Sequence, residues 1–491
     1  MTSGTSVTAS ESKLASLCES TFLRFWSYPN PYRDQRDSPN AATGKEVCDL
    51  LVHFDNNVVI FSDKSCSFPA NDNIELAWSR WHKRAILKSA KQAIGAERWI
   101  KNFPDRVFLN PECTQPLPAE IVVDEQTRFF LIVVAGGARQ ACIDFFGEGI
   151  GSLMTYSEQT AGTSEGYFQP FFVNAFPVNR RNIHTLDEVA LEIVLNEFDT
   201  ASDFIGYLKD KEEFCGSVSF FTCAGEEEIV AHSIPRGSWR ALVDEARSSG
   251  VDGVQLGSGF YEDLVKSKAY KKMRQSMRIG YLWDSLIEDV SGCVLEGTLD
   301  AGKQFSLAEH NRVLTALASE SRAARAHLAH AYSGIMLRNA SAGWVHLRIA
   351  VSPSNEHLIY AFVGLSPEKV KFIPDDEFRH SRRGYLLAYV HVAASRFPDA
   401  NFVVGIASET GSPAQGRSHD FCILDVRENR AGIHERGRDY IQKLELTGEL
   451  DPRSHSTQGL RSLLSSMRGL PQRPDERAKR RRRRKKERRR R

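Results

Sequence analysis

The stretch CDLLVHFDNNVVIFSDK, residues 48–64, decides the fold of the N-terminal part of the chain. Two apolar runs flank the turn-forming sequence Asp-Asn-Asn at 55–57, which is the pattern of a β-hairpin. If the last two of these residues form the turn, Asp49 lies opposite Lys64; if all three form it, Asp49 lies opposite Asp63. Cross-strand partners have Cβ atoms about 5 Å apart, so either register places Asp49 beside an ionisable group.

Such a charge cluster at the end of an apolar hairpin is costly unless its members are paired or bind a cation. Two carboxylates with nearby backbone carbonyls suit Mg²⁺, a hard cation that prefers oxygen ligands. We therefore expect Asp49 and Asp63 to bind Mg²⁺ (or Mn²⁺). A lysine beside that metal, Lys64, is expected to stabilise charge on an attacked phosphate.

A long helix is predicted after the hairpin, from Asp72 to Lys101. At 100° per residue, apolar side chains that include Trp78 and Trp81 share one stripe, which is expected to be buried. Gln92 falls within this stripe, so its amide is predicted to point towards the sheet, where a buried amide needs partners. A second, basic stripe is predicted to contact phosphates and consists of Arg80, Arg84, Lys88 and Lys91.

These features together resemble the PD-(D/E)xK nuclease superfamily, restriction-endonuclease-like enzymes that cleave nucleic acid with Mg²⁺. The resemblance covers residues 12–110. Its elements are an opening helix, a strand with an Asp, a strand with an acid and a lysine, a further helix and a closing strand. They correspond here to the helix with Glu19, the strands with Asp49 and with Asp63–Lys64, the helix with Gln92 and the strand Arg106–Leu109.

The resemblance implies a role for each of these residues. Asp49 and Asp63 would be metal ligands, and Lys64 would be the catalytic lysine that positions water and stabilises the transition state. The auxiliary acid would be Glu19 or Glu46. Gln92 would support the site.

The sequence departs from the family pattern in the second strand. The family places its acid and its lysine two residues apart on one face of the strand, whereas position 62 is Ser here and Asp63 adjoins Lys64. A regular strand points adjacent side chains to opposite faces, and a β-bulge near Ser62 would realign them. The strand expected before Asp49 is weak, because residues 28–45 have the composition of a loop.

The net charge of +2 on 491 residues hides a strong asymmetry. Residues 477–491 contain thirteen Lys/Arg and one Glu, a charge of +12, and residues 1–476 carry −10. A segment this basic, whose only apolar residue is Ala478, cannot fold alone, but it can neutralise nucleic-acid phosphates without reading sequence. In this tail, Arg480 and Arg484 are predicted to contact nucleic acid.

The predicted fold class is α/β and α+β, in four parts. They are a restriction-endonuclease-like domain (12–138), a mostly helical region (139–337), a small α/β domain (338–447), and a linker with a disordered Arg/Lys-rich tail (448–491). No apolar run reaches the roughly 20 residues of a membrane helix, so no membrane span is expected. Nine scattered cysteines without a CxxC pair favour a reducing, cytoplasmic location.

Three functions from different classes fit the sequence. The favoured one is a Mg²⁺-dependent endonuclease that hydrolyses phosphodiester bonds of nucleic acid, DNA rather than RNA. The alternative is a catalytically inactive, nuclease-like nucleic-acid-binding or scaffold protein that acts through partners and its basic tail. The third is a partner-regulated assembly component without nucleic-acid activity, whose partner would be another protein or a second copy of the chain.

Overall fold

The computed structural model describes residues 8–34, 44–147, 149–158, 169–175, 178, 181–236, 244, 248–250, 253–296, 307–336, 345–366, 375–410 and 419–446. Their fold is mixed α/β. Contacts group the chain into two compact units, and the boundary between them in the sequence falls between Lys271 and Lys272. The four-part division drawn from the sequence stays a prediction, and its linker and tail, with Arg480 and Arg484, lie outside the described residues.

The first unit is built on strands and helices that alternate irregularly along the chain. Its strands are β1 (Ser27–Pro29), β2 (Tyr32–Arg33), β3 (Lys45–Glu46), β4 (Leu50–Phe54), β5 (Asn57–Ser65), β6 (Val107–Phe108), β7 (Arg128–Gly136), β8 (Met154–Glu158), β9 (Phe172–Asn174), β10 (His184–Leu186), β11 (Phe220–Cys223) and β12 (Gly253–Leu256). Its helices are α1 (Ala9–Phe22), α2 (Ile74–His82), α3 (Lys88–Asn102), α4 (Arg139–Phe146), α5 (Glu188–Glu197), α6 (Ala201–Ser217), α7 (Glu226–Ser233) and α8 (Phe260–Lys266), and α9 (Lys268–Met277) runs across the division.

The main sheet has the strand order β1-β4-β5-β7-β10. β1, β4 and β5 are antiparallel neighbours, whereas β7 pairs parallel to β5 and β10 parallel to β7. Helix α1 precedes these strands in the sequence, and the α2–α3 helix lies between β5 and β7. When only strands of the main sheet are counted, the order along the chain is one helix, three strands, one helix and one strand. Two smaller sheets have the orders β12-β11-β8-β9 and β3-β2-β6.

The predicted hairpin is present as β4 and β5, but both predicted registers are wrong. Leu50 pairs with Phe61, and the turn consists of two residues, Asp55 and Asn56. Asp55 has a φ of 51°, in the left-handed region that Asp tolerates better than most residues. Asn57 joins the strand instead of the turn, and its Nδ2 donates to the Phe54 carbonyl oxygen at 3.3 Å.

The predicted long helix extends from Ile74 to Asn102, but a π-helical turn at Lys83–Leu87 interrupts it. A π turn has more residues than an α turn, so it rotates the following face of the helix. Trp78 and Trp81 are buried as predicted, whereas Gln92 is exposed. The expectation that Gln92 points towards the sheet is therefore wrong.

The strand that follows this helix in the main sheet is not the predicted one at Arg106. Val107–Phe108 is a two-residue strand that pairs with β2 in the three-stranded sheet. The main sheet continues instead with β7, whose apolar run supplies nine consecutive pairs to β5. Residues 139–337, predicted as mostly helical, also contain β8 to β12; strands of three to five residues are too short to show an alternating pattern.

The second unit has a four-stranded sheet between two groups of helices. Its elements are α10 (Tyr281–Glu296), α11 (Leu307–Ala318), α12 (Arg322–Met336), β13 (Val345–Val351), β14 (Leu358–Leu365), α13 (Asp375–Arg396), β15 (Phe402–Glu409), β16 (His419–Asp425) and α14 (Arg430–Leu446). β14 and β15 are parallel and are joined through α13, while β13 and β16 are antiparallel at the edges. Among the described helices, none combines the length and apolar character needed to cross a bilayer.

Candidate functional site

Asp49 and Asp63 meet at one end of the main sheet. Asp49 immediately precedes β4, and Asp63 lies near the end of the antiparallel strand β5. The backbone N–H of Asp63 donates to Asp49 Oδ2 at 2.6 Å. The observed register, extended by one residue, places Asp49 opposite Ser62 and therefore next to Asp63.

The sheet determines which face each residue of β5 presents. Phe61 packs against Phe22 of α1 and Phe204 of α6, with ring centroids 6.4 and 6.3 Å away. Asp63 is two residues further along and continues this face, because side chains alternate in a strand. The pairing of β5 with β7 is continuous from Asn57 to Ser65, so this stretch contains no bulge that would bring Lys64 to the same face.

Two more carboxylates join Asp49 and Asp63. Glu11 lies in the first turn of α1, where a capping box holds it: the Thr8 backbone N–H donates to Glu11 Oε2 at 2.9 Å. Glu46 ends the short strand β3 and is hydrogen-bonded to Asp49. We call these four residues, Glu11, Glu46, Asp49 and Asp63, the acidic cluster.

Burial and the nearby negative charges raise the pKa values of Asp49, Asp63 and Glu46. Burial raises the pKa of Asp49 to about 7; the Asp63 N–H opposes this rise, and the charges of Glu46, Asp63 and Glu11 add to it. Burial also raises the pKa of Asp63, against a hydrogen bond from Ser10. Partial burial and the charge of Glu11 raise the pKa of Glu46. Because burial and like charges both oppose ionisation, the pKa values of these three carboxyls lie above that of a carboxyl in water.

The donor atoms of the cluster suit a hard divalent cation. All four side chains offer carboxylate oxygens, and Asp63 Oδ2 is buried without a hydrogen-bond partner. A cation would offset the burial and the repulsion that raise these pKa values. Within the described ranges, however, no three Asp, Glu, His or Cys side chains already stand in an arrangement that could hold a metal ion. Binding would therefore draw the carboxylates closer together.

Lys64 and Ser62 lie on the face of β5 opposite to Asp63. Lys64 is exposed at the strand end, and its charge acts to lower the pKa of Asp63. Ser62 occupies the position at which the family pattern has an acid, two residues before the lysine. Its hydroxyl is buried and has no hydrogen-bond partner.

Two residues that the resemblance implied do not join the cluster. Glu19 lies eight residues further along α1 than Glu11 and forms an ion pair with Arg24. Gln92 lies on the exposed face of α3. Glu11 is the acid that sequence reasoning missed, although the pattern Thr8-x-x-Glu11 before an apolar run is a capping-box signal that marks the start of a helix.

The predicted basic stripe is exposed on the helix that follows β5. Arg80, Arg84, Lys88 and Lys91 all face solvent, and Arg98 extends the same face by two turns. Arg84 Nη2 donates to the Ser67 carbonyl oxygen at 2.7 Å, which ties the stripe to the chain just after β5. We call these five residues the basic face.

Compared with known proteins, the chain matches no protein-family model, no curated protein and no solved structure.

Proposed function

We propose that the first unit is a metal-dependent nuclease that hydrolyses phosphodiester bonds of nucleic acid. The observation that carries this proposal is the meeting of Asp49 and Asp63, with Glu11 and Glu46, at the ends of two neighbouring strands. The order of helices and strands supports it, because it follows the sequence of elements in the PD-(D/E)xK resemblance. The fold assignment to that superfamily is part of the proposal.

In the proposed mechanism each residue has a distinct task. Asp49 and Asp63 would hold Mg²⁺ or Mn²⁺, and Glu46 and Glu11 would add negative charge near the ion. When bound there, such an ion would supply Lewis-acid polarisation of the scissile phosphate. Lys64, on its long flexible stem at the strand end, stabilises the charge that develops on the phosphate as water attacks.

The basic face would hold the polyanionic substrate beside this site. Its five cations make this surface locally positive, although residues 1–476 as a whole carry −10 and would repel nucleic acid. We favour DNA over RNA as substrate. The eight cysteines with described side chains are free thiols, which agrees with the proposed cytoplasmic location.

A second candidate function is a catalytically inactive nuclease-like protein that binds nucleic acid. Three observations favour it: Ser62 replaces the family acid, Lys64 lies on the face opposite to Asp63, and the described residues hold no ready three-ligand metal group. This protein would bind the same substrates through the basic face and its tail, without cleaving them.

Cleavage by the purified full-length chain separates the two candidates. End-labelled duplex DNA, single-stranded DNA and single-stranded RNA are incubated with Mg²⁺, with Mn²⁺ or with EDTA. The nuclease proposal expects metal-dependent products from the wild type. Loss of one ligand or of the charge-stabilising lysine is expected to slow cleavage at least 100-fold in Asp49→Asn and Lys64→Ala.

The matched control is Glu125→Gln, an exposed acid in the turn before β7 that lies outside the acidic cluster. It should cleave as the wild type does. Equal cleavage by wild type, Asp49→Asn and Lys64→Ala would refute the site. Binding in EDTA without cleavage under either metal would support the inactive candidate instead.

A further inference from the structure

Helix α9 carries a dense run of positive charge outside the basic face. Between Asp263 and Asp284 the chain has six basic and no acidic residues. Lys268, Lys271 and Lys272 are all exposed. At 100° per residue the three fall within about 100° of one another, on one side of the helix. We call these three residues the α9 stripe.

The opposite side of α9 is fixed against the protein. The Tyr270 hydroxyl donates to Glu197 Oε1 at 2.5 Å, and the Tyr270 backbone N–H donates to Ser267 Oγ at 3.1 Å. Met273 is buried. Because this side is packed, the lysines have a fixed direction towards solvent, and a ligand would meet them without the helix having to reorganise.

The chemistry of the stripe favours an extended polyanion. Lys266, just before the helix, forms an ion pair with Glu262 at 3.0 Å, whereas α9 itself contains no acid that would compete for its lysines. A membrane-binding helix needs an apolar face to insert into the bilayer, but the apolar side of α9 is packed against protein. A row of lysines without an exposed apolar wedge fits phosphates spaced along a nucleic-acid strand.

We propose that the α9 stripe is a second nucleic-acid contact surface, which binds the phosphate backbone without reading its sequence. It rests on the proposed function only in the identity of the ligand; it does not require cleavage. Three phosphate contacts would steepen the dependence of log K on log salt by about 2.7, at about 0.9 per contact with duplex DNA.

The test measures binding to a labelled 30-base-pair duplex by fluorescence anisotropy in EDTA, so that no cleavage occurs. The variant is K268A/K271A/K272A, because Ala is the best helix former and keeps α9 intact. The control is R436A/R438A/K443A, which removes the same charge from exposed positions of α14, where Glu435 and Asp439 lie among the basic residues. Circular dichroism checks that both variants fold.

The proposal expects the α9 variant to bind at least tenfold more weakly at 0.1 M salt and to lose two to three units of salt slope. The α14 variant should change much less. An α9 variant with the affinity and slope of the α14 control would overturn the proposal, as would unchanged DNA binding together with lost binding to phosphatidylserine vesicles. Cleavage activity is measured separately. Binding through α9 without cleavage would therefore contradict only the nuclease proposal.

Discussion

Replacing Asp49 with Asn is expected to make the metal-free protein more stable at pH 8. Asn keeps the oxygen that accepts the Asp63 N–H at 2.6 Å, and it removes the carboxylate that burial and three neighbouring acids disfavour. A group whose charge is disfavoured in the folded state opposes folding at every pH at which the unfolded chain would ionise it.

The magnitude follows from the displaced pKa of Asp49. Folding raises it from 3.8 to about 7, and one pKa unit corresponds to about 1.4 kcal/mol. The upper bound is therefore about 4 kcal/mol. The neighbouring carboxyls of the wild type take up some of the protons that Asp49 releases, which lowers the energetic penalty of the ionised Asp49. The variant is therefore expected to gain about 2–4 kcal/mol in stability above pH 7.

Because folding raises the pKa of Asp49, the effect on stability is confined to a definite pH range. Between pH 4 and pH 7 the folded wild type keeps a proton on Asp49 that the unfolded chain has lost, so wild-type stability falls as pH rises through this range. The advantage of the variant should be absent below about pH 3 and complete at about pH 8. Urea titrations in EDTA, read by amide hydrogen exchange in peptides from β4 and β5, report the first unit directly.

A divalent cation should reverse this order. Mg²⁺ or Mn²⁺ that binds only the folded wild type stabilises it by about 2.7 kcal/mol at one hundred times its Kd, and the Asn variant should respond far less. Glu125→Gln controls for the loss of one exposed acid. If Asp49→Asn is no more stable than wild type at pH 8 in EDTA, or responds equally to the metal, the description of the acidic cluster is wrong.

Three further predictions concern the scaffold of the first unit, and urea titrations of the full chain check each of them. Burial, and the charges of Asp187 and Glu228, raise the pKa of Glu227 to about 8. Glu227→Gln should therefore gain about 3–5 kcal/mol in the free energy of unfolding above pH 8 and nothing below pH 4. A gain that does not depend on pH would contradict this. Lys211 and Glu226 form a buried ion pair at 2.6 Å, so Glu226→Gln should lose about 3–5 kcal/mol by leaving a buried ammonium unpaired; a loss below 1 kcal/mol would show that water reaches the pair. Trp81 is fully buried and stacks on Trp78 at 5.3 Å, so Trp81→Ala should cost about 3–5 kcal/mol; a smaller loss would mean that the core refills the cavity.

The sequence was sufficient for the hairpin but not for its register. Two apolar runs that flank a short turn can pair only as antiparallel strands, and β4 and β5 pair in this way. The register depends on which residues leave the strands, and here the left-handed conformation of Asp55 decides it. That choice moves Asp49 from facing Lys64 or Asp63 to a place opposite Ser62, so a single residue in the turn changes the geometry of the site.

The helix after the hairpin shows a second limit. Its position and its basic face follow from periodicity, because charged side chains avoid the apolar stripe. The π turn at Lys83–Leu87 adds a residue to one helical turn, and no residue type in that stretch predicts a π turn. A strict 100° periodicity therefore predicts that Gln92 lies in the core, whereas in the structure it is exposed, as its neighbour Lys91 is.

The acidic cluster combines residues that are distant in the sequence. Asp49 and Asp63 are linked through the hairpin, but Glu11 arrives from α1 by tertiary packing, which no local pattern encodes. The capping box at Thr8 predicts only where α1 begins. Packing of Phe22 against Phe61 then brings the helix against this face of β5, which is information available only from the fold.

Anomalous diffraction from crystals of the full-length protein grown with Mn²⁺ tests the central claim most directly. We predict one strong manganese peak bound by carboxylate oxygens of both Asp49 and Asp63, at about 2.0–2.6 Å, the range of oxygen ligands to hard divalent cations. Asp49→Asn crystals should lose the peak, while Glu125→Gln crystals should keep it. A wild-type crystal saturated with Mn²⁺ whose acidic cluster is ordered and holds no peak would contradict the claim that these acids form a metal site.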